Sequence, residues 1–317
     1  KAAELAERHD HVDLHSAALD ACAGIVIQRS DYTQALAVTR QRLVFARRLN
    51  TQERIDAYAM ATWFSCALGH LTEADETSAQ GLAQFPSGQD PGWLLHLTAW
   101  RIYALSVSGR WREVVTLGCR AAQLWEESGR ESAGFALRGL IEAAHVARSR
   151  GDSSADVLDR TCEAILDQFV GGGDHPGGIR WRHLPQHRLD HQGMAQVLAD
   201  WRYQSGTPEC CERLLNAMSD RAWTVSPQTT SDMLQWAQSG GLKVLESQVR
   251  RAIGLRDHDV NELAAALEIA RACKAGALIA RAGYELARAV SDSAGMEAAL
   301  GEFDAMGDRG QIARYLG

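Results

Sequence analysis

The sequence predicts an all-α fold, a right-handed superhelical solenoid of antiparallel helix pairs. Alanine and leucine dominate the apolar residues, and only 6 prolines occur. Alternating β-branched or aromatic stretches are almost absent, so a sheet has little from which to form. In addition, a unit of two apolar helices around a short polar break recurs about every 40 residues, as in repeat proteins. At 317 residues, the chain is long enough for one elongated array with a continuous core.

Each of the first four helix pairs contains a short polar break. The breaks fall at Ser30-Asp31, Gly69-His70, Gly109-Arg110 and Gly151-Asp152. On both sides of each break, apolar residues recur at i, i+3, i+4 and i+7, which is the pattern of an amphipathic helix. Because the connections are so short, the two helices of each pair should lie antiparallel.

One repeat carries a recognisable pattern. It consists of a turn glycine, a Glu-Ala step at the start of the second helix, a small residue seven positions later and a closing proline, namely Gly69, Glu73-Ala74, Gly81 and Pro86. In this pattern the stretch resembles a tetratricopeptide repeat. The resemblance covers most of residues 12 to 169. It returns near the C-terminus, where further helices are predicted at Leu263 to Ala272, Ala277 to Val290 and Met296 to Phe303.

The C-terminal string MGDRGQIA, from Met306 to Ala313, indicates which group of repeat proteins the chain resembles. It is similar to the Gly-Asp-Arg-Arg-Gly-x-Ala phrase in degenerate repeats of large bacterial regulators. These regulators include LuxR-type transcription activators of the maltose-activator kind and multidomain adenylyl cyclases. The resemblance implies a helical-repeat domain that binds a protein, peptide or small-molecule effector and controls an attached effector domain. Because the chain begins with Lys1 rather than Met, we expect it to be a piece of such a protein.

The middle of the chain is less regular. Residues 170 to 192 carry five glycines before Trp181 and must contain a long loop, either functional or disordered. We therefore divide the chain into N-terminal repeats over residues 1–169, a Gly/His-rich loop insertion over 170–192 and C-terminal helical repeats over 193–317. In this last part, helices are expected at Gln192 to Gln204, Pro208 to Ala222, Thr230 to Gln238 and Leu242 to Leu255.

Composition restricts the partners and the compartment. The formal net charge of -7 argues against a direct nucleic-acid partner, because phosphate contacts need clustered basic residues. No apolar run approaches the ~20 residues of a membrane span, so we expect no membrane contact. Five of the 7 cysteines lie inside helical patterns and are expected to be buried thiols of a reduced, cytoplasmic protein, namely Cys22, Cys66, Cys119, Cys162 and Cys273.

The first helices of a solenoid line its concave side, so residues that face away from the second-helix layer should form a groove. The candidates mix aromatic rings, imidazoles and both signs of charge, a composition that suits a peptide or a polar small molecule. They are Asp20, Asp56, Trp63, His96, Tyr103, Arg138, His145 and Arg148. The alternative for any one of them is ordinary packing or solvated surface.

The spacing of the loop histidines decides whether they can bind one metal ion. His183, His187 and His191 are spaced i, i+4, i+8. Eight residues of helix span about 12 Å, which is too far for one ion, and Pro185 interrupts the helix between the first two. Only His187 and His191 are close enough in sequence to share one ion. The pair His11 and His15 has the same i, i+4 spacing, and such a pair is common by chance. We therefore predict no metal and favour a solvated or partner-facing loop.

Catalytic motifs are absent. The sequence has no Gly-x-Ser-x-Gly, no phosphate-binding Gly-x-x-x-x-Gly-Lys and no His-Glu-x-x-His. Adjacent Cys210 and Cys211 have a redox or soft-metal interpretation, but one buried and one exposed thiol is the simpler one. We expect a binding domain without catalytic residues or cofactor. The alternatives are a cytosolic peptide receptor of the quorum-sensing type and a metal-dependent enzyme that uses the His-rich loop.

Overall fold

The computed structural model describes residues 2–85, 89–168 and 208–316, together with residue 192. The loop at 170–191 and the helix expected up to Gln204 lie outside these residues. Within them the chain is helical and contains no strand. None of the helices described is both long enough and apolar enough to cross a membrane.

Two groups of helices make up the described chain. The first stack comprises α1 (Ala2–Arg8), α2 (Val12–Ile27), α3 (Tyr32–Val44), α4 (Thr51–Ala67), α5 (Leu71–Ala83), α6 (Pro91–Val107), α7 (Trp111–Glu127), α8 (Ala133–Arg150) and α9 (Ala155–Gln168), with a short 3-10 helix at Ala46–Arg48. The second stack comprises α10 (Pro208–Asp220), α11 (Pro227–Gly240), α12 (Lys243–Asp257), α13 (Val260–Cys273), α14 (Gly276–Ala289), α15 (Ser293–Met306) and α16 (Arg309–Leu316).

Neighbouring helices pack in the order of a solenoid. In the first stack, α2, α4, α6 and α8 lie side by side, and each packs against the second helix of its own pair, α3, α5, α7 or α9. In the second stack, each helix from α11 onward packs against the next one along the chain. This arrangement confirms the predicted all-α helical-repeat solenoid.

The predicted breaks are confirmed, and they share one backbone geometry. Positive φ angles, between 61° and 80°, occur at Ser30, Gly69, Gly109 and Gly151. After Gly69, the N–H of His70 donates to the carbonyl of Ser65 at 2.8 Å, which satisfies a carbonyl that the helix end leaves unpaired. The second stack repeats this helix ending at Gly241, Lys274 and Gly307.

The two stacks meet along a seam where their turns pack together. The turn at Gly69 touches the side chain of Cys273, and a Cβ atom at Gly276 would lie 2.6 Å from the carbonyl oxygen of Ser108. Farther along, Arg150 donates to the carbonyl of Met306. Along this seam α12, α14 and α16 pack against α4, α6 and α8, respectively. The second stack therefore lies beside the first helices of the repeats.

Two of the five cysteines that were expected to be buried are exposed. Cys66, Cys162 and Cys273 are buried, as predicted, but Cys22 and Cys119 are exposed. The prediction is wrong for these two because a helical pattern of small residues does not by itself distinguish the packed face from the outer face. Both lie on outward-facing positions of α2 and α7.

Candidate functional site

Four of the predicted groove residues belong to one polar network, through Arg42. The buried guanidinium of Arg42 lies 2.7 Å from Asp20 and 2.7 Å from Asp56. Asp56 is 3.4 Å from Nε2 of His96, and Nδ1 of His96 is 3.3 Å from Arg138. The network crosses α2, α3, α4, α6 and α8, and thus joins the first helices of successive repeats.

Hydrogen bonding fixes the protonation of His96. A guanidinium can only donate, so Nδ1 of His96 accepts from Arg138 and Nε2 carries the proton that points to Asp56. Burial lowers the pKa of His96, which agrees with this neutral ring. Burial alone would raise the pKa of Asp56, but the bond from His96 and the charge of Arg42 lower it. Asp56 is therefore a stable carboxylate between two donors.

Aromatic packing surrounds this network. The ring of His96 stacks on Phe135 at 4.2 Å between centroids, and the guanidinium of Arg138 lies 4.2 Å from the centre of a Trp100 ring. Trp100 in turn stacks on Trp63 at 5.3 Å. Trp63 is consequently a core side chain with 8% of its surface exposed.

The predicted groove is not open at Trp63 and Tyr103, which corrects the expectation for these two residues. The indole N–H of Trp63 donates to Glu209 at 3.3 Å, and the hydroxyl of Tyr103 donates to Glu212. Both glutamates belong to α10 of the second stack. The inner face is closed at these two residues because α10 lies on it.

The last two predicted residues lie apart from the network. Arg148 pairs with Asp159 of α9, so its charge is directed to the second helix of its own pair and not to the inner face. His145 is half-buried and borders a cavity between the stacks. Whether any of the eight residues binds a ligand stays a prediction.

That cavity has a volume of about 50 Å³ and lies between the two stacks. Helices α6, α7 and α8 form one side, and α10, α12 and α14 form the other. Its polar lining includes Tyr103, Ser106, Glu142, His145, Glu212 and Gln248. We call it the interstack cavity. His145, Arg213 and Asn216 are its half-exposed lining residues and mark its solvent side.

Three oxygen atoms of the interstack cavity have no hydrogen-bond partner within residues 2–85, 89–168 and 208–316. They are Oε2 of Glu142, Oε1 of Glu212 and Oε1 of Gln248. The hydroxyls of Ser106 and Tyr103 already donate to the other carboxyl oxygens of the two glutamates. Unsatisfied buried acceptors are rare in folded proteins. All three belong to residues that line one cavity, which makes that cavity the candidate site.

Burial changes the protonation of the cavity. It raises the pKa of Glu212 to about 8, with the charges of Glu209 and Glu142 adding to the effect and the bond from Tyr103 opposing it. Burial also lowers the pKa of His145, although the charge of Glu142 opposes this. At pH 7 the cavity therefore contains a protonated Glu212 and a neutral imidazole.

Ion pairs of the second stack hold the cavity walls in place. Arg251 forms a buried, two-pronged pair with Glu285, at 2.6 and 2.7 Å, and donates to Asn216 at 2.9 Å. Arg281 lies 2.7 Å from Asp220. Burial would raise the pKa of Asp220, but the neighbouring arginines, Arg281 first among them, lower it to about 2. These pairs fix α10 against α12 and α14.

The sequence interpretation did not select the two cavity glutamates. Glu142 lies in an otherwise apolar run, Leu140 to Ala144, and Glu212 follows Cys211 on the buried side of α10. A carboxylate within an apolar helical face is the signal that identifies both. Cys211 is buried and Cys210 half-buried, which agrees with the simpler interpretation of that pair.

The histidines that the sequence analysis considered as metal ligands lie in two different parts of the chain. His11 and His15 line a surface cavity of about 110 Å³ with Asp10 and Arg48, and the ring of His15 stacks on Phe45. The part of the chain that the structure describes holds no cluster of three ligating side chains for a metal. The loop histidines, His183, His187 and His191, lie outside that part.

Comparisons with protein-family models and with curated proteins give no match. No protein-family model matches the chain, and neither does any curated protein. The resemblance to tetratricopeptide repeats stays a prediction from residues such as Gly69, Gly81 and Pro86. Roles for the cavity residues are inferred from their geometry.

Proposed function

We propose that this chain is a ligand-sensing or protein-interaction helical-repeat domain of a bacterial signalling or transcriptional regulator, and that it controls an attached effector domain. The observation that carries this proposal is the interstack cavity, which draws Glu142 from the first stack and Glu212 and Gln248 from the second. A ligand bound there contacts both stacks at once. The resemblance of the repeats to those of bacterial regulators supports the attached effector.

The architecture provides a route from the cavity to an effector. Each helix pair packs mainly on its neighbours, so a small change of angle at one pair accumulates along the array. A ligand that binds one angle between the stacks more tightly than another shifts the population toward it. A domain that contacts either end of the array would respond to that shift.

A reducing, cytoplasmic setting is part of the proposal. All 7 cysteines are free thiols, including four that are buried in the two stacks, namely Cys66, Cys162, Cys211 and Cys273. Proteins of oxidising compartments usually pair their cysteines. The abundance of unpaired thiols therefore favours the cytoplasm.

A thermal-shift screen tests the proposed function. Small polar molecules and short peptides are added to the wild type, to Ala277→Leu, which fills the cavity, and to Ala289→Leu, an exposed change on the same helix. A cavity ligand should raise the Tm of the wild type and of Ala289→Leu but not of Ala277→Leu. Stabilisation by peptides alone would favour the peptide-receptor alternative. A ligand that stabilises all three proteins equally, or no ligand at all, would contradict sensing at this cavity.

A further inference from the structure

Three side-chain atoms of residues that line the interstack cavity lack a hydrogen-bond partner among the described residues. The three unpaired atoms, on Glu142, Glu212 and Gln248, are all oxygens, and these residues are at most 7% exposed. The hydroxyls of Tyr103 and Ser106 are already used as donors to the same glutamates. A ligand that satisfies Glu142 and Gln248 must bring N–H or O–H donors, and so must a ligand that meets Glu212 as a carboxylate.

Anionic ligands match the lining poorly, although two arginines border the cavity. Arg281 is engaged by Asp220 at 2.7 Å, and Arg213 also has a partner. An anion would therefore have to compete with the existing partners of both guanidinium groups, and it would lie beside the carboxylate of Glu142. Two negative charges close together in a buried site repel each other strongly. The lining therefore favours a cation over an anion.

The size of the cavity limits which cations can bind in it. A volume of about 50 Å³ holds only a few water-sized groups, so a bulky ligand cannot enter as a whole. An ammonium group is compact, carries one positive charge and has three N–H donors, one for each of the three unpaired oxygens. The head group of a larger molecule can enter from the half-exposed side at His145 and Asn216.

We propose that the interstack cavity binds a primary ammonium group, R–NH₃⁺, of a free amine or of a lysine side chain, with N–H bonds to Glu142, Glu212 and Gln248. This inference rests on the proposed sensing function and specifies the chemical class of its ligand. Because the three oxygens come from both stacks, one ammonium group would tie the first stack to the second.

Binding should release a proton. Glu212 is protonated at pH 7, since burial raises its pKa to about 8. When R–NH₃⁺ enters, the carboxyl O–H bond of Glu212 breaks, its proton leaves to solvent, and the carboxylate accepts an N–H of the ammonium. The titratable and charged groups that surround Glu212 among the described residues are Tyr103, Glu142, His145, Glu209, Arg213 and Arg281, together with the thiols of Cys66, Cys211 and Cys273.

Isothermal titration calorimetry with methylammonium chloride tests the inference on the 317-residue chain. Methanol and formate serve as neutral and anionic probes of similar size. We expect one methylammonium per chain with millimolar affinity, as its few atoms allow. The heat should change with the ionisation enthalpy of the buffer because a proton is released. Glu142→Gln and Gln248→Leu should each weaken binding about tenfold. Glu246→Gln, a buried change on the same helix as Gln248 but outside the cavity, should leave it unchanged.

A second probe distinguishes the two sources of the ammonium group. Nα-acetyl-lysine N-methylamide presents the same head group on a lysine side chain. Binding tighter than that of methylammonium would assign the ligand to a polypeptide, and weaker binding would assign it to a free amine. Circular dichroism and the Tm of each variant establish that it is folded.

The inference is overturned if folded wild type binds no methylammonium, if the cavity variants bind it as well as the wild type, or if methanol or formate binds instead. These results are separable from failure of the proposed function. If Ala277→Leu abolishes stabilisation by some other ligand while methylammonium does not bind, sensing stands and the ammonium class is wrong. If no ligand responds to Ala277→Leu, both proposals fail.

Discussion

Arg42 illustrates how a single buried charge organises the first stack. Its guanidinium is fully buried and bonds to Ser16, Asp20, Glu53 and Asp56. Removing an arginine from water is costly, and the surrounding carboxylates offset that cost only while all partners are present. The residue therefore specifies how α2, α3 and α4 fit together.

Replacing Arg42 should be severe. In Arg42→Met the carboxylates of Asp20 and Asp56 lose their shared cation, and we expect a loss of about 3 kcal/mol or more in the free energy of unfolding. Arg40→Met, two residues away, removes an exposed pair with Glu73 and should change stability by no more than about 1 kcal/mol. Urea unfolding measures both values. Equal effects of the two substitutions would show that the Arg42 network does not stabilise the fold.

Glu212 should make stability depend on pH. Its pKa is about 8 in the folded chain and near the ordinary value of 4.5 when unfolded. Between these values the folded state holds the proton and the unfolded state does not, so this contribution is complete at low pH and is lost as the pH rises to about 8. The expected loss is at most about 1.4 kcal/mol per pH unit.

Glu212→Gln keeps the shape of the side chain but cannot ionise. Its stability relative to the wild type should therefore increase as the pH rises between the two pKa values of Glu212. Glu246→Gln is the control, because its stability relative to the wild type should change with pH in the opposite direction. Burial alone would raise the pKa of Glu246, but Lys243 and Arg250 lower it, so this variant should lose stability relative to the wild type as the pH rises. Urea unfolding at several pH values gives the differences. A pH-independent difference for Glu212→Gln would contradict the assigned protonation.

At the scale of the helical elements, the breaks were the most predictable feature. Glycine tolerates the left-handed backbone that ends a helix, and Gly69, Gly109 and Gly151 adopt it. The period of apolar residues then identified the helices on each side. The helix α11 is longer than expected because Ser226 caps it, its hydroxyl accepting from the N–H of Thr229, and Pro227 suits the first turn.

Alanine substitutions at two turn glycines distinguish the cost of backbone strain from the cost of a clash across the seam. Gly69 and Gly129 have φ values of 80° and 70°, so alanine at either position costs about 1 kcal/mol of strain. A Cβ atom at Gly69 would also overlap Sγ of Cys273 across the seam, whereas one at Gly129 would meet no described atom within 4 Å. Gly69→Ala should therefore lose about 1–3 kcal/mol more than Gly129→Ala, measured by thermal unfolding. Equal losses of stability would mean that a Cβ atom at Gly69 does not clash with the second stack across the seam.

At the scale of the whole molecule, the candidate site was only partly predictable. The helical period predicted that Asp20, Asp56, His96 and Arg138 lie on the first helices of successive repeats, and in the structure one network joins them. It gave no indication that α10 covers Trp63 and Tyr103. Those contacts link residues 146 and 109 positions apart, and a local period carries no information about packing at such separations. The cavity between the stacks could be found only in three dimensions.

The central claim is that two helical stacks close on one another and leave the interstack cavity between them. Two glycines of α14 test it directly by urea unfolding. In Gly276→Ala the new Cβ would lie 2.6 Å from the Ser108 carbonyl oxygen of the other stack, whereas at Gly283 it would meet only ordinary contacts at 3.9 Å or more. We predict that Gly276→Ala loses about 1–3 kcal/mol and that Gly283→Ala is neutral or gains up to about 1 kcal/mol. Two substitutions of equal effect would contradict the closed arrangement.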